Sequence, residues 1–211
     1  MDSTKPLASA PLEGSWLVTV AASAGGIPAL QKLVGSLPRD LPAAVVVLLH
    51  RSPDQSESNL NRILARAGAL PVVTAAEGQV IEGGTIYVAR PDLHLTVSPE
   101  KRFSYIDGKR IKYLRSSANP LFESAAVAFK HRLLAVVLTG HGSDATNGVQ
   151  AVKEYGGLVI AQDPMSAENR SMPQAAIKSG SVDFVLPLEA IGQVIADIVG
   201  GAPLHSTVLT K

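Results

Sequence analysis

The stretch Leu17-Val18-Thr19-Val20-Ala21-Ala22-Ser23-Ala24-Gly25-Gly26-Ile27-Pro28-Ala29-Leu30-Gln31 changes its hydrophobic period halfway along, and that change decides the fold. Leu17, Val18 and Val20 form a short β-rich apolar run, whereas Ile27, Leu30, Leu33, Val34 and Leu37 recur at helical spacing, so a strand passes into a helix across Ser23 to Gly26. Pro28 suits the first helical turn, where a missing N–H costs nothing. Gly25 and Gly26 allow a sharp turn and close approach of the backbone to a ligand, and the free amides of a helix start attract a negative oxygen. One hydroxyl, Ser23, stands at the turn. The arrangement suits a serine nucleophile whose attack creates an oxyanion. It also suits a plain turn or a phosphate cradle: the run matches neither Gly-x-Gly-x-x-Gly nor a lysine-bearing P-loop, and it lacks the first glycine of the Gly-x-Ser-x-Gly elbow.

The same alternation continues on either side of a different middle. Ala43 to Leu49 is a near-continuous apolar run, as expected of a strand covered on both faces, and His50 ends it. Leu60, Ile63, Leu64 and Ala67 then mark an amphipathic helix closed by Gly68. From Leu70 to Leu114 the runs are short and β-rich, with Asp107-Gly108 a hairpin signal between Phe103 to Ile106 and Ile111 to Leu114. Regular alternation resumes with a helix over Asn119 to Lys130 and a strand over Leu133 to Leu138. A polar glycine loop, Thr139 to Gly148, leads to a helix around Val149 to Tyr155, a strand at Leu158 to Ala161, a helix at Pro173 to Ser179, and a last strand and helix at Val182 to Leu186 and Leu188 to Val199. The chain therefore reads as α/β: a doubly wound, mostly parallel sheet with helices on both faces and an inserted β-meander or hairpin at about 70–114. Residues 1–15 read as a flexible leader, 16–199 as the domain and 200–211 as a flexible tail.

With 211 residues, 46% of them hydrophobic, the chain supports one sizeable core. A net charge of +1 without a concentrated basic stripe argues against nucleic acid as a partner. No apolar stretch approaches the roughly 18 residues of a membrane span, and no signal peptide is legible, so no membrane insertion is expected and the cytoplasm is the expected location. Zero cysteines remove disulfides, thiolate metal sites and a cysteine nucleophile, and no two histidines have helical ligand spacing, so no metal site is read.

Ser23, His50 and Asp144 each follow an apolar strand, and in open parallel sheets the carboxyl ends of the strands line the ligand crevice. A hydroxyl, an imidazole and a carboxylate are the set that acyl transfer needs. Each has an ordinary reading too. His50 can cap a strand end, Asp144 can serve a turn or a helix start, and His141 and His94 are rivals for the base. His94, inside the alternating run Leu93-His94-Leu95, reads as an outward polar side chain.

Ala22-Ser23-Ala24-Gly25-Gly26, Leu49-His50, Pro91-Asp92-Leu93-His94-Leu95, Ser117-Ala118-Asn119-Pro120-Leu121-Phe122-Glu123-Ser124-Ala125, Leu138-Thr139-Gly140-His141-Gly142-Ser143-Asp144 and Met172-Pro173-Gln174-Ala175-Ala176-Ile177 occur in the order and spacing of one family. From Trp16 to about Val199 the chain resembles the catalytic domain of the CheB-type protein-glutamate methylesterases of bacterial chemotaxis. The resemblance implies a triad on Ser23, His50 and Asp144 and hydrolysis of glutamate γ-methyl esters on methylated chemoreceptor helices, with receptor glutamine deamidation as a related activity. It implies no cofactor. Oxyanion and active-site loop contacts would come from Ala24, Gly25, Gly26, Gly140, His141 and Gly142. Apart from the resemblance, Arg51, Arg90, Arg110 and Arg115 lie in loops or short strands near the expected crevice, where they can meet the acidic face of a receptor helix or be scattered surface arginines.

The departures from the family pattern are Ala24 for a threonine, His141 for a methionine, Ala145 for a glycine and Arg51-Ser52-Pro53 for a methionine-proline continuation. A β-carbon at 145 is costly if that residue needs positive φ. Only about 15 residues precede the first strand where the family carries a receiver domain, so an open crevice is expected, and the protein is either unregulated by its own phosphorylation, controlled by a separate response regulator or methyltransferase, or a piece of a larger signalling protein. Two other readings stay open. One is a catalytically weak or inactive signalling module of the same fold; the other is a phosphate or nucleotide binder using Gly25-Gly26.

Overall fold

The computed structural model describes residues 15–50, 57–106 and 116–202. Its centre is a seven-stranded parallel sheet in the order β3-β4-β2-β1-β7-β8-β9. The strands are β1 (Trp16–Ala22), β2 (Ala43–Leu49), β3 (Val72–Thr74), β4 (Ile86–Val88), β7 (Leu133–Val137), β8 (Leu158–Gln162) and β9 (Phe184–Leu186). A separate antiparallel ribbon joins β5 (His94–Val97) to β6 (Phe103–Ile106).

Residues of β1 alternate between two layers, as a strand covered on both faces must. Val18, Val20 and Ala22 pack with α1 (Gly26–Ser36), α2 (Glu57–Ala67) and α6 (Leu188–Gly200), contributing to a core with Leu30, Leu64 and Ile195. Leu17 and Ala21 face the other way, toward α3 (Ala118–Phe129), α4 (Thr146–Glu154) and α5 (Ser171–Lys178), in a core with Phe122, Val149 and Met172. The doubly wound α/β reading holds.

Part of the inserted meander does not. Val72–Thr74 and Ile86–Val88 belong to the main sheet, parallel to one another and, through β4, to β2. Ile86, Tyr87 and Val88 are all buried, so β4 is covered on both faces, and a three-residue strand is too short to show a period in sequence. Among the described residues, only β5 and β6 stand apart, turning at Ser98 to Arg102 with Lys101 at φ 58°. The Asp107-Gly108 turn, the leader over residues 1–14 and the tail beyond 202 lie outside the described residues.

From β1 the chain steps to β2 on one side and later returns to place β7 on the other, so the winding reverses between β1 and β7. That switch point, at the carboxyl ends of the strands, is where an open sheet leaves a crevice. Among the described residues no helix is long and apolar enough to cross a membrane.

Helices α3 and α4, which back this crevice, approach through Gly148: a β-carbon there would stand 2.6 Å from Phe122 Cβ. Neither atom can swing aside. Gly148→Ala is expected to destabilise the fold by about 1–3 kcal/mol through overpacking, measurable by urea denaturation.

Candidate active site

Ser23 is the first residue past β1, and His50 the first past β2. The parallel register pairs Ala22 with Leu49, so the two side chains leave neighbouring strands at the same level. Backbone bonds tie the strand ends together, with His50 N–H donating to Ala22 O at 3.0 Å and Ser23 N–H to Thr139 O at 3.0 Å. Gly25 turns the chain into α1 with φ 74°, and a β-carbon on Gly26 would crowd Leu49 Cδ1 at 2.6 Å and the immovable Ala22 Cβ at 2.9 Å. Ser23 and His50 line one cavity of about 510 Å³ together with Ala24, Gly25, Gly26 and Glu168. Ile27, assigned by its spacing to the apolar face of α1, is instead 37% exposed and lines that cavity as well.

Asp144 is buried behind His50, in the loop between β7 and α4. Its Oδ2 lies 2.8 Å from His50 Nε2 and accepts the Ala118 N–H at 2.6 Å. Its Oδ1 accepts the Ser117 hydroxyl at 2.6 Å and the Asn119 amide at 3.0 Å. Burial pushes this carboxyl up. The His50 hydrogen bond and charge, the Ala118 amide and the Ser117 hydroxyl outweigh burial and hold it below the ordinary carboxylate range. Asp144 is neither a solvent turn residue nor the cap of its own helix. It accepts the first amide of α3, where the helix dipole favours negative charge.

The roles of four supporting residues escaped the sequence reading. Ser117 caps α3 by accepting the Asn119 N–H while donating to Asp144, and a serine just before a helix was the available signal. Asn119 takes the Gly148 N–H on its other face, at 2.8 Å, which locks α4 to the same cluster. Thr139 donates its hydroxyl to Ala24 O at 3.0 Å, and Gln162 at the end of β8 accepts the Thr139 N–H at 2.9 Å. No local pattern announces a clamp assembled from three strand ends.

The other expected site residues fall differently. No hydrogen bond links Ser23 Oγ to His50 among the described residues, a separation common before substrate is bound. Gly140 is not available as an oxyanion donor, because its N–H is given to Asn169 O at 3.0 Å; its role is steric, since a β-carbon there would meet Ser23 Cβ at 2.8 Å. The amides of Ala24, His141 and Gly142 have no acceptor among the described residues. His94 is not outward: it is 1% exposed, and its Nδ1 accepts the Ser117 N–H at 3.0 Å, because its ribbon folds down onto α3. Arg90 pairs with Asp92 at 3.1 Å and lies over the Tyr105 ring. Arg51, Arg110 and Arg115 are outside the described residues. No cluster of metal-ligating side chains occurs among the described residues.

Residues 18–195 match the model of the family described as CheB methylesterase. A protein of Leptospira interrogans is 37% identical over 177 residues, 84% of this chain and 91% of the relative. A Methanosarcina mazei protein named protein-glutamate methylesterase/protein-glutamine glutaminase 2 is 35% identical over 190 residues, and the match spans 87% of this chain but 52% of that relative. The crystal structure of the Thermotoga maritima CheB methylesterase catalytic domain superposes with a TM-score of 0.84 at 32% identity, covering 88% of this chain and 100% of the other.

The lowered Asp144 carboxyl contributes stability that is fully present above the unfolded value of about 3.9 and disappears as pH falls through the folded value below it. Asp144→Asn places an amide against donors and is expected to cost about 1–3 kcal/mol near neutral pH. The gap from the parent chain should shrink below about pH 4, as followed by urea denaturation from pH 7 downward. Ala145 does adopt positive φ, 75°, and its methyl is fully buried. Relief of about 1–2 kcal/mol of left-handed strain is offset by about 0.8 kcal/mol of lost methyl burial and roughly 0.4–1 kcal/mol of added unfolded-state entropy. Ala145→Gly should therefore shift stability by no more than about 0.8 kcal/mol in either direction by these figures, readable as a small displacement of the denaturation midpoint.

Proposed function

The chain belongs to the CheB methylesterase family, and from that premise we propose that it hydrolyses γ-methyl esters of glutamate side chains on methyl-accepting receptor helices, and the corresponding glutamine amides, through Ser23, His50 and Asp144. The observation that carries this reading is the buried 2.8 Å contact from His50 Nε2 to Asp144, directly behind the cavity that His50 shares with Ser23.

With Asp144 ionised, His50 Nε2 carries the proton of that bond, and Nδ1 is the lone-pair nitrogen left to take a proton from Ser23. Serine oxygen attacks the ester carbonyl as its proton passes to His50. Asp144 stabilises the imidazolium that forms and keeps the ring in one orientation. The oxygen that gains charge would be met by the uncommitted amides of Ala24 and His141, which backbone geometry supplies whatever the side chain. His50 then returns the proton to the departing methoxide, releasing methanol. Water, deprotonated by His50, cleaves the acyl-serine and leaves a glutamate carboxylate. With an amide substrate the leaving group is ammonia.

The departures at Ala24, His141 and Ala145 leave this machinery with its backbone donors and its Asp144 cluster. Residues 16–199 are the proposed catalytic unit. Cytoplasmic location and the receptor as partner follow from the same reading.

Methanol release from a methylated receptor preparation is the direct test. Ser23→Ala and His50→Ala should each lower it by at least about a thousandfold, and the double variant should fall scarcely further, because the groups act as one unit. Full activity in folded His50→Ala would remove it as the base.

A further inference from the structure

One charged side chain lines the cavity without a part in that chemistry. Glu168 lies in the loop between β8 and α5, with its residue exposed. Its backbone neighbours are pinned. Asn169 donates its N–H to Thr139 Oγ1 at 2.9 Å and accepts from Gly140, and Gln162 Nε2 donates to Ser166 O at 3.0 Å. This loop presses Glu168 onto the nucleophile turn: a β-carbon on Gly25 would stand 2.8 Å from both Cβ and Oε2 of Glu168. Gly25 therefore serves the site twice, by its positive φ and by making room for this side chain. No lysine or arginine among the described residues lines the cavity, and Glu168 has no hydrogen-bond or ion-pair partner among them.

An uncompensated carboxylate beside a would-be oxyanion site looks counterproductive until charge is followed along the reaction. The ester and water are neutral. They become methanol, a proton and a carboxylate, so the reacting group gains one negative charge. In the transition state the developing oxyanion is matched by the imidazolium forming on His50, and the pair has no net charge. Once the proton has left and His50 is neutral, the product carboxylate carries a full negative charge with no cation among the described cavity-lining residues to balance it. A fixed anion at that place therefore acts weakly on ester and transition state and most strongly on product.

We propose that Glu168 is a specificity-determining residue that expels the glutamate carboxylate and excludes receptor glutamates already demethylated, while admitting neutral ester and amide. This rests on the esterase reading above. In a receptor field where hydrolysed glutamates accumulate beside methylated ones, it keeps the site from being occupied by its own product.

The test uses the full chain, a short peptide bearing one glutamate γ-methyl ester as substrate, and the same peptide with free glutamate as inhibitor. Glu168→Gln should lower the inhibition constant of the free-glutamate peptide roughly three- to tenfold at low ionic strength, with KM for the ester changed less than about twofold. Glu168→Lys should lower the inhibition constant further, Glu168→Asp should resemble the parent, and added salt should shrink the differences. If ester turnover is lost in Ser23→Ala but the inhibition constant is the same in parent and Glu168→Gln, the inference is overturned and the esterase reading stands. A parent chain that releases no methanol from the ester peptide or from methylated receptor overturns both.

Discussion

Burying the Asp144 carboxylate beside His50 is tolerable only because four donors converge on its two oxygens. An ionised carboxylate taken out of water without partners would neutralise itself, and a neutral acid could not stabilise an imidazolium. His50 apart, the donors come from one place, the first turn of α3 and its cap. Ser117 and Asn119 supply side chains, Ala118 supplies a backbone amide, and the helix adds its positive end. The arrangement makes the carboxylate a structural tie as well: it joins the β7–α4 loop to α3, and Asn119 extends the tie to Gly148 at the start of α4. The feature that orients the imidazole is also what holds two helices of one layer together.

Ser23, the proposed nucleophile, is placed by a different set of forces. Ser23 sits where β1 ends because the apolar run ends there, and its neighbours are fixed by backbone bonds to β2 and β7. Thr139 gathers these constraints, holding the Ser23 amide with its carbonyl and the Ala24 carbonyl with its hydroxyl, and is itself held by Gln162. Four adjacent strand ends thus act on a short turn. Their rigidity explains why glycines recur around it: Gly26 against the Ala22 β-carbon, Gly140 against that of Ser23 and Gly25 against that of Glu168 are positions where an added β-carbon would meet one that its backbone holds in place. Ala145 is the exception, a β-carbon in a left-handed conformation whose strain is offset by burial in the α3/α4 core.

The sequence by itself determined the architecture and singled out three polar residues that follow strands, because both depend on local order. Strand runs such as Ala43–Leu49 are apolar throughout, helix faces repeat at 3.6 residues, and Ser23, His50 and the Asp144 loop follow strands whose ends a parallel sheet must align. Only the tertiary structure decided what depends on pairing between distant segments. Val72–Thr74 and Ile86–Val88 are too short to declare a period, so membership of the main sheet became visible only through their partners. His94 alternates like a surface residue, yet the ribbon carrying it packs against α3 and buries it. Gly140 reads as an oxyanion donor until Asn169 is found on its amide, and Glu168 belongs to no motif until its loop closes over Gly25. Local periodicity records which way a side chain faces within its own element; which group it meets there is settled by the packing of elements far apart in the chain.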